Sequence, residues 1–170
     1  MANEKLMRAN VRIDVFYPEN FADMAAPKVA ELNSAIMGFN ISCAVEDSYT
    51  LNQTESDTDD SLSVCDIGNV ETPTFLNYEA TLPIFRDKDL AANGVFNLAF
   101  RLLKAAGVPF ILGLRIGLPN DAAHVIGETV SLFGVETDNP SDQVEDQSMI
   151  RMETHFKPTG RILTNFKVVA

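Results

Sequence analysis

Positive charge is scarce in this sequence. Only 13 Lys and Arg stand against 24 Asp and Glu in 170 residues, a formal net charge of -11 at pH 7. Proteins that grip phosphate backbones cluster Lys and Arg to displace counterions, so this balance argues against sequence-reading nucleic-acid binding. Long hydrophobic runs are also missing. The longest, Ala105 to Leu114, stops at Arg115 and is about half of the roughly 20 residues a membrane helix needs. Met1 to Asn20 holds no apolar run of the kind that forms a signal-peptide core, so a soluble protein made in a cytoplasm is expected.

Cysteine and histidine are equally sparse. Cys43 and Cys65 form neither a ligand spacing nor a disulfide framework and are expected to be buried or semi-buried thiols. His124 and His155 are isolated, without metal-ligand spacing to each other or to a cysteine. Gly113 and Gly117 lack the lysine and flanking pattern of a phosphate cradle, and no Gly-x-Ser-x-Gly elbow occurs. Asp57, Asp59 and Ser61 have the spacing that opens a calcium loop. Leu62 stands where glycine is wanted, however, and Gly68 where a glutamate would close the loop. No enzyme activity, cofactor or metal is expected.

What is present is a core and an uneven charge pattern. Apolar residues make up 46% of the chain, enough for a single domain of this length to bury a substantial interior. From Val29 to Phe85 there is no base but ten acids, and from Ile116 to Ile150 no base but seven. Such windows serve solubility or mark a negatively charged working surface.

Strand signals dominate. Val11 to Tyr17 is rich in β-formers and stops at Pro18, and Pro27 can open a short helix through Leu32. Phe39, Ile41, Cys43 and Val45 alternate with polar neighbours as in a half-buried strand. Residues 52–69 form a long acidic stretch that reads as a loop. Leu76 to Arg86 is a strand with Tyr78, Ala80, Leu82 and Ile84 on one side, and Pro83 places it at an edge or bulge. Val95, Leu98, Ala99, Leu102 and Ala106 make one helical stripe, widened by Phe96, Phe100 and Leu103, with Gly107 as its stop. Pro109 to Ile116, Gly127 to Thr137 and Ser148 to Phe156 read as strands. Lys157 to Gly160 reads as a turn into a closing strand, Arg161 to Val169. The fold class expected is mainly β with one flanking α-helix, as a sandwich or barrel, in a single domain over 1–170.

Four blocks carry a family resemblance: AAPKVAELNSAIMGFNISCAVEDSYTLNQTESDTDDSLSVCDIGNVETPTF, NYEATLPIFRDKD, VETDNPSD and FKPTGRILTNFKVVA. In this order, over nearly the full chain, they resemble major tail proteins of long-tailed, siphovirus-type bacteriophages, the subunits of the tail tube. The resemblance implies a β-sandwich with a flanking helix and a non-enzymatic role in the virion tail. It also implies hexameric rings stacked into a hollow tube, assembly in the host cytoplasm, and a tape measure protein and tail terminator as partners. DNA then passes as cargo. An N-terminal arm, 1–11, and the acidic loop, 52–69, become candidates for ring-to-ring contact, Glu55, Asp57, Asp59 and Asp60 of one ring meeting Lys5, Arg8 and Arg12 of the next. Glu46, Glu79, Glu128 and Glu153, on polar faces or ends of expected strands, become candidates for the lumen wall. A tail terminator or head-completion ring protein, and a soluble acidic β-barrel binding calcium or a small ligand, are the alternative readings.

Overall fold

The computed structural model describes residues 8–59, 61, 65, 72–144 and 149–170. Its elements are β1 (Val11–Phe16), α1 (Val29–Leu32), β2 (Gly38–Asn40), β3 (Thr50–Gln53), β4 (Asp57–Asp59), β5 (Thr72–Phe75), β6 (Tyr78–Phe85), α2 (Val95–Leu103), β7 (Pro109–Ile116), β8 (Thr129–Thr137), β9 (Ser141–Gln143) and β10 (Arg151–Lys167). The strands form one antiparallel path, β2-β1-β7-β8-β10-β6-β3, with β9 alongside β10. Strands β4 and β5 make a separate two-stranded sheet.

β10 folds this path over on itself. Its first part pairs with β6, Arg151 opposite Phe85 through His155 opposite Thr81. Its later part pairs with β8, Phe156 opposite Thr137 through Lys167 opposite Thr129. The expected turn at Lys157 to Gly160 is therefore not a hairpin: one continuous strand serves both halves of the sheet. Pro158 faces Val135 and Ile162 faces Phe133, so Thr159, Gly160 and Arg161 bulge opposite the single residue Gly134. Gly160 takes a φ of 77°, which a glycine adopts without strain.

The bulge fits because Gly134 has no side chain. A Cβ there would lie 2.7 Å from Thr159 Oγ1 and 2.9 Å from Arg161 Cβ. Tyr78 ties the bend together from β6: its hydroxyl donates to the Gly134 carbonyl and accepts from the Thr159 N–H at 3.0 Å.

The main core lies between the two halves. Ile13, Val15, Phe110, Leu112, Phe133 and Val135 meet Leu51, Ala80, Leu82, Ile84, Met152 and Phe156, and α2 closes one side with Ala99 and Leu103. A smaller cluster covers the other face of the β1-β7-β8 half, where Phe16, Ile111, Val130 and Leu132 pack with Leu32 and Val168. The strict alternation in β6 gave its buried side correctly. Pro83 lies beyond the last β3 pair, Thr50 opposite Thr81, where only its carbonyl is used, accepting the Glu46 N–H at 2.8 Å.

Four further expectations change. The strand from Phe39 ends at Asn40, because the Asn40 side chain accepts from both the Ser42 N–H, 3.0 Å, and the Ser42 hydroxyl, 2.6 Å, turning Ser42–Ala44 into a short 3-10 turn. That turn leaves Cys43 exposed while Ala44 is buried, and Cys65 is exposed too. The helix stops at Leu103 with Ala106 outside it, since Thr137 draws the next residues toward β8 by donating to the Ala105 carbonyl at 2.6 Å. Of the expected acidic loop, residues 52–53 belong to β3 and 57–59 to β4. Residues 60, 62–64 and 66–71 lie outside the described set.

Candidate assembly surfaces and a buried charge network

The outward face of β1 and β7 carries Arg12, Asp14 and Arg115, all buried. A charge in such a place needs partners, and residues 119–128 supply them. Arg12 Nε donates to both oxygens of Asp14, 2.9 and 2.8 Å, and its Nη1 to the Ala122 carbonyl. Arg115 donates to the carbonyls of Pro119 and Ala122, 2.6 and 2.9 Å, and lies 3.5 Å from Glu128. Burial draws the Arg115 guanidinium below its ordinary pKa, with Glu128 opposing the shift.

His124 sits between the two carboxylates. Nδ1 is 2.5 Å from Glu128 and Nε2 is 3.1 Å from Asp14. Each ring nitrogen thus faces a carboxylate oxygen. The backbone of His124 is fixed as well, its N–H donating to the Asn33 side chain at 2.8 Å and its carbonyl accepting from it at 2.9 Å. The His124 side chain is only 2% exposed, and the cluster's contacts tie residues 119–128 to β1 and β7. It holds the segment that bears Val125 and Ile126, which are 48% and 64% exposed. The sequence separates Asp14 from His124 by 110 positions, so neither spacing nor periodicity signals that they meet.

The expected lumen residues divide. Glu128 belongs to this buried network, its side chain 6% exposed, and does not line a surface of the subunit. Glu46, Glu79 and Glu153 are brought together on the outward face of the β3-β6-β10 half. Glu79 is exposed and opposite Asn52. Glu153 is opposite Pro83 and contacts His155 at 3.2 Å. Glu46 pairs with Arg151, and that hydrogen bond, with one from Ser48, lowers its pKa below the usual carboxylate value. Three carboxylates thus share this face with one guanidinium.

Among the expected ring-to-ring residues, Arg12 is fixed inside the subunit in β1. Lys5 and Asp60 lie outside the described residues, and Arg8 opens a 3-10 turn before β1. Glu55, Asp57 and Asp59 are exposed on and beside the β4-β5 hairpin. Asn77 anchors its base by donating to the Glu55 carbonyl, 3.1 Å, and to Asp57, 2.9 Å. The Ser61 hydroxyl and N–H hold the Asp59 carboxyl below its ordinary pKa. At the end of the hairpin Phe75 and Leu76 are 70% and 62% exposed. Among the described residues no group of three or more His, Cys, Asp or Glu is placed to hold a metal ion. No described helix is long and apolar enough to cross a membrane.

These features define a mainly β structural domain, folded about one bent strand and braced by buried ion pairs. A family model described as phage tail tube protein matches residues 1–170, and the chain belongs to that family. It is a structural protein of the phage tail. No curated protein matched the chain.

Proposed function

We propose that the protein forms hexameric rings that stack into a tube, and that the outward face carrying Glu46, Glu79 and Glu153 lines its lumen. The observation that carries this reading is the gathering of these three carboxylates on one solvent-facing sheet surface. A wall of carboxylates offers phosphate no counterion-releasing base and repels it within a screening length of about 8 Å at physiological salt, giving a non-adhesive lining for genomic DNA. Arg151 offsets Glu46, so Glu79 and Glu153 carry most of the repulsion.

Ring-to-ring contact is assigned to Glu55, Asp57, Asp59 and Asp60, with Lys5 and Arg8 as basic partners, while Arg12 and Glu128 are left to the interior. Tubes start and end on other virion proteins, a tape measure protein and a terminator, and grow in the host cytoplasm of a siphovirus infection. The exposed Phe75, Leu90 and Ile126 support assembly, since apolar side chains of this size become favourable when a neighbouring subunit covers them.

The test is a phage carrying Glu79→Lys and Glu153→Lys. Tails of normal length with impaired DNA delivery are expected. Unchanged infectivity refutes the lumen assignment, and absent tails mean that these residues serve assembly.

A further inference from the structure

The connection from β7 to β8 keeps its apolar side chains outside. Ile116, Leu118, Val125 and Ile126 are exposed, and from Ile116 to Thr129 the single buried residue is His124. Backbone hydrogen bonds pin the two ends of the connection. The Asn120 N–H donates to the Ala9 carbonyl at 2.8 Å and the Gly127 N–H to the Val168 carbonyl at 2.9 Å. Between these points no apolar residue is buried, and residues 121–126 are held by polar groups alone. Arg12 and Arg115 grip the Ala122 carbonyl, Asn33 brackets the His124 backbone, and the His124 ring lies between Asp14 and Glu128. A stretch with so few apolar contacts sits at the low end of local stability and opens before the sheet does.

The ring contacts set a proton requirement. A neutral imidazole carries one N–H and one lone pair. Glu128 lies 2.5 Å from Nδ1 and Asp14 3.1 Å from Nε2, so a ring with a single proton turns its lone pair toward one ionised carboxylate. A second proton in the cluster gives both contacts a donor. The charged groups around the ring are Asp14 and Arg12 from β1, Arg115 from β7, and Glu128 at the end of the connection itself. The two carboxylates favour that proton and the two guanidiniums oppose it, and imidazole is the side chain that changes charge between about pH 5 and 8.

We propose that this proton is a latch: while the cluster holds it, residues 121–126 are fixed over β1 and β7, and its release as pH rises frees them from a sheet that stays folded. The latched state holds one proton more than the open one, so its stability is present at the low end of the range and is lost as pH rises. For one proton the opening equilibrium gains at most about tenfold per pH unit. Val125 and Ile126 lie in the freed stretch, so the latch places an exposed apolar surface under pH control. It operates within one subunit and is independent of the tube reading.

The experiment is amide hydrogen exchange of the unassembled full chain from about pH 5.5 to 8.5, across the histidine range, expressed as protection factors so that the intrinsic pH dependence of exchange divides out. Protection over residues 121–126 should fall by up to about tenfold per pH unit, while the amides of β7, bonded into the ladder with β1 and β8, keep theirs. Glu128→Gln offers an amide N–H to Nδ1, so a ring with a single proton satisfies both neighbours and protection should become independent of pH. His155→Gln leaves His124 as the one histidine of the chain, and nuclear magnetic resonance of its ring nitrogens should show a proton lost over the same interval. Flat protection in the wild type, a loss shared with β7, or a pH dependence that survives in Glu128→Gln overturns the latch. If Glu128→Gln does not fold, the ring signal decides: a His124 ring whose proton loss does not coincide with the loss of protection overturns it as well.

Discussion

Replacing Asp14 by alanine tests the buried network at its most connected residue. Asp14 is 1% exposed and receives Arg12 through both oxygens and His124 through one. Its removal leaves the Arg12 guanidinium without its carboxylate and His124 Nε2 without its acceptor, while His124 keeps only Glu128 on Nδ1. Breaking a buried pair in this way costs about 3–5 kcal/mol, because the surviving charge is uncompensated. For a domain of 150–250 residues each kcal/mol moves the melting temperature by about 2–4 °C, so a fall of roughly 6–20 °C is expected. Denaturant unfolding of the unassembled subunit at neutral pH gives the free energy directly. The double variant Arg12→Met with Asp14→Leu should lose less than Asp14→Ala alone, since it removes both charges together. A single-variant loss below about 1 kcal/mol, or a double variant worse than the single, would refute the view that these ion pairs brace residues 119–128 against β1 and β7.

The bend in β10 gives a second measurement. Tyr78→Phe removes the hydroxyl that bonds Gly134 and Thr159 and should cost about 1–3 kcal/mol by leaving buried backbone groups unpaired, read by chemical denaturation. Gly134→Ala drives a methyl group into Thr159 and the Arg161 backbone and should cost a similar 1–3 kcal/mol, with wild-type stability as the contrary result. Glu46 gives a pH dependence. Its carboxyl is held below its unfolded value by Arg151, so the stabilisation is present at neutral pH and is lost as pH falls through the folded pKa. Glu46→Gln should therefore lower stability by at most about 1 kcal/mol at pH 7 and by less at pH 3. An equal deficit at both pH values would contradict it.

Much of the fold is legible in the sequence for a physical reason. In β6 Tyr78, Ala80, Leu82 and Ile84 are all buried while Glu79 and Thr81 between them are exposed or half-buried, so the period of two shows directly over this part of the strand. Strand β7 is announced by an apolar run, because both of its faces are covered. Lys157 to Gly160 misleads because proline and glycine mark a bulge as readily as a turn, and only the register against β8 distinguishes them. Asn40 and Ser42 end a strand through side-chain bonds that an apolar alternation conceals.

The candidate site was legible only where exposure follows from strand phase, as at Glu79. Glu128 lies just before a strand, and its fate was decided by His124 and Arg115, partners brought to it by the return of residues 119–128 over the sheet. Arg12 similarly belongs to β1 because Asp14 lies two residues away on the same face. His124, isolated in sequence, is central to the network. The nearest signal is its i, i+4 spacing to Glu128, which is too common to carry weight alone.

A density map of the tube assembled from the full chain tests the central claim most directly. Stacked six-fold rings are expected, with the carboxylates of Glu79 and Glu153 on the inner wall and α2 away from it. A map with Glu79 and Glu153 buried between subunits or on the outer surface, or a purified chain that forms no tube, would contradict the assignment of this sheet face to the passage of DNA.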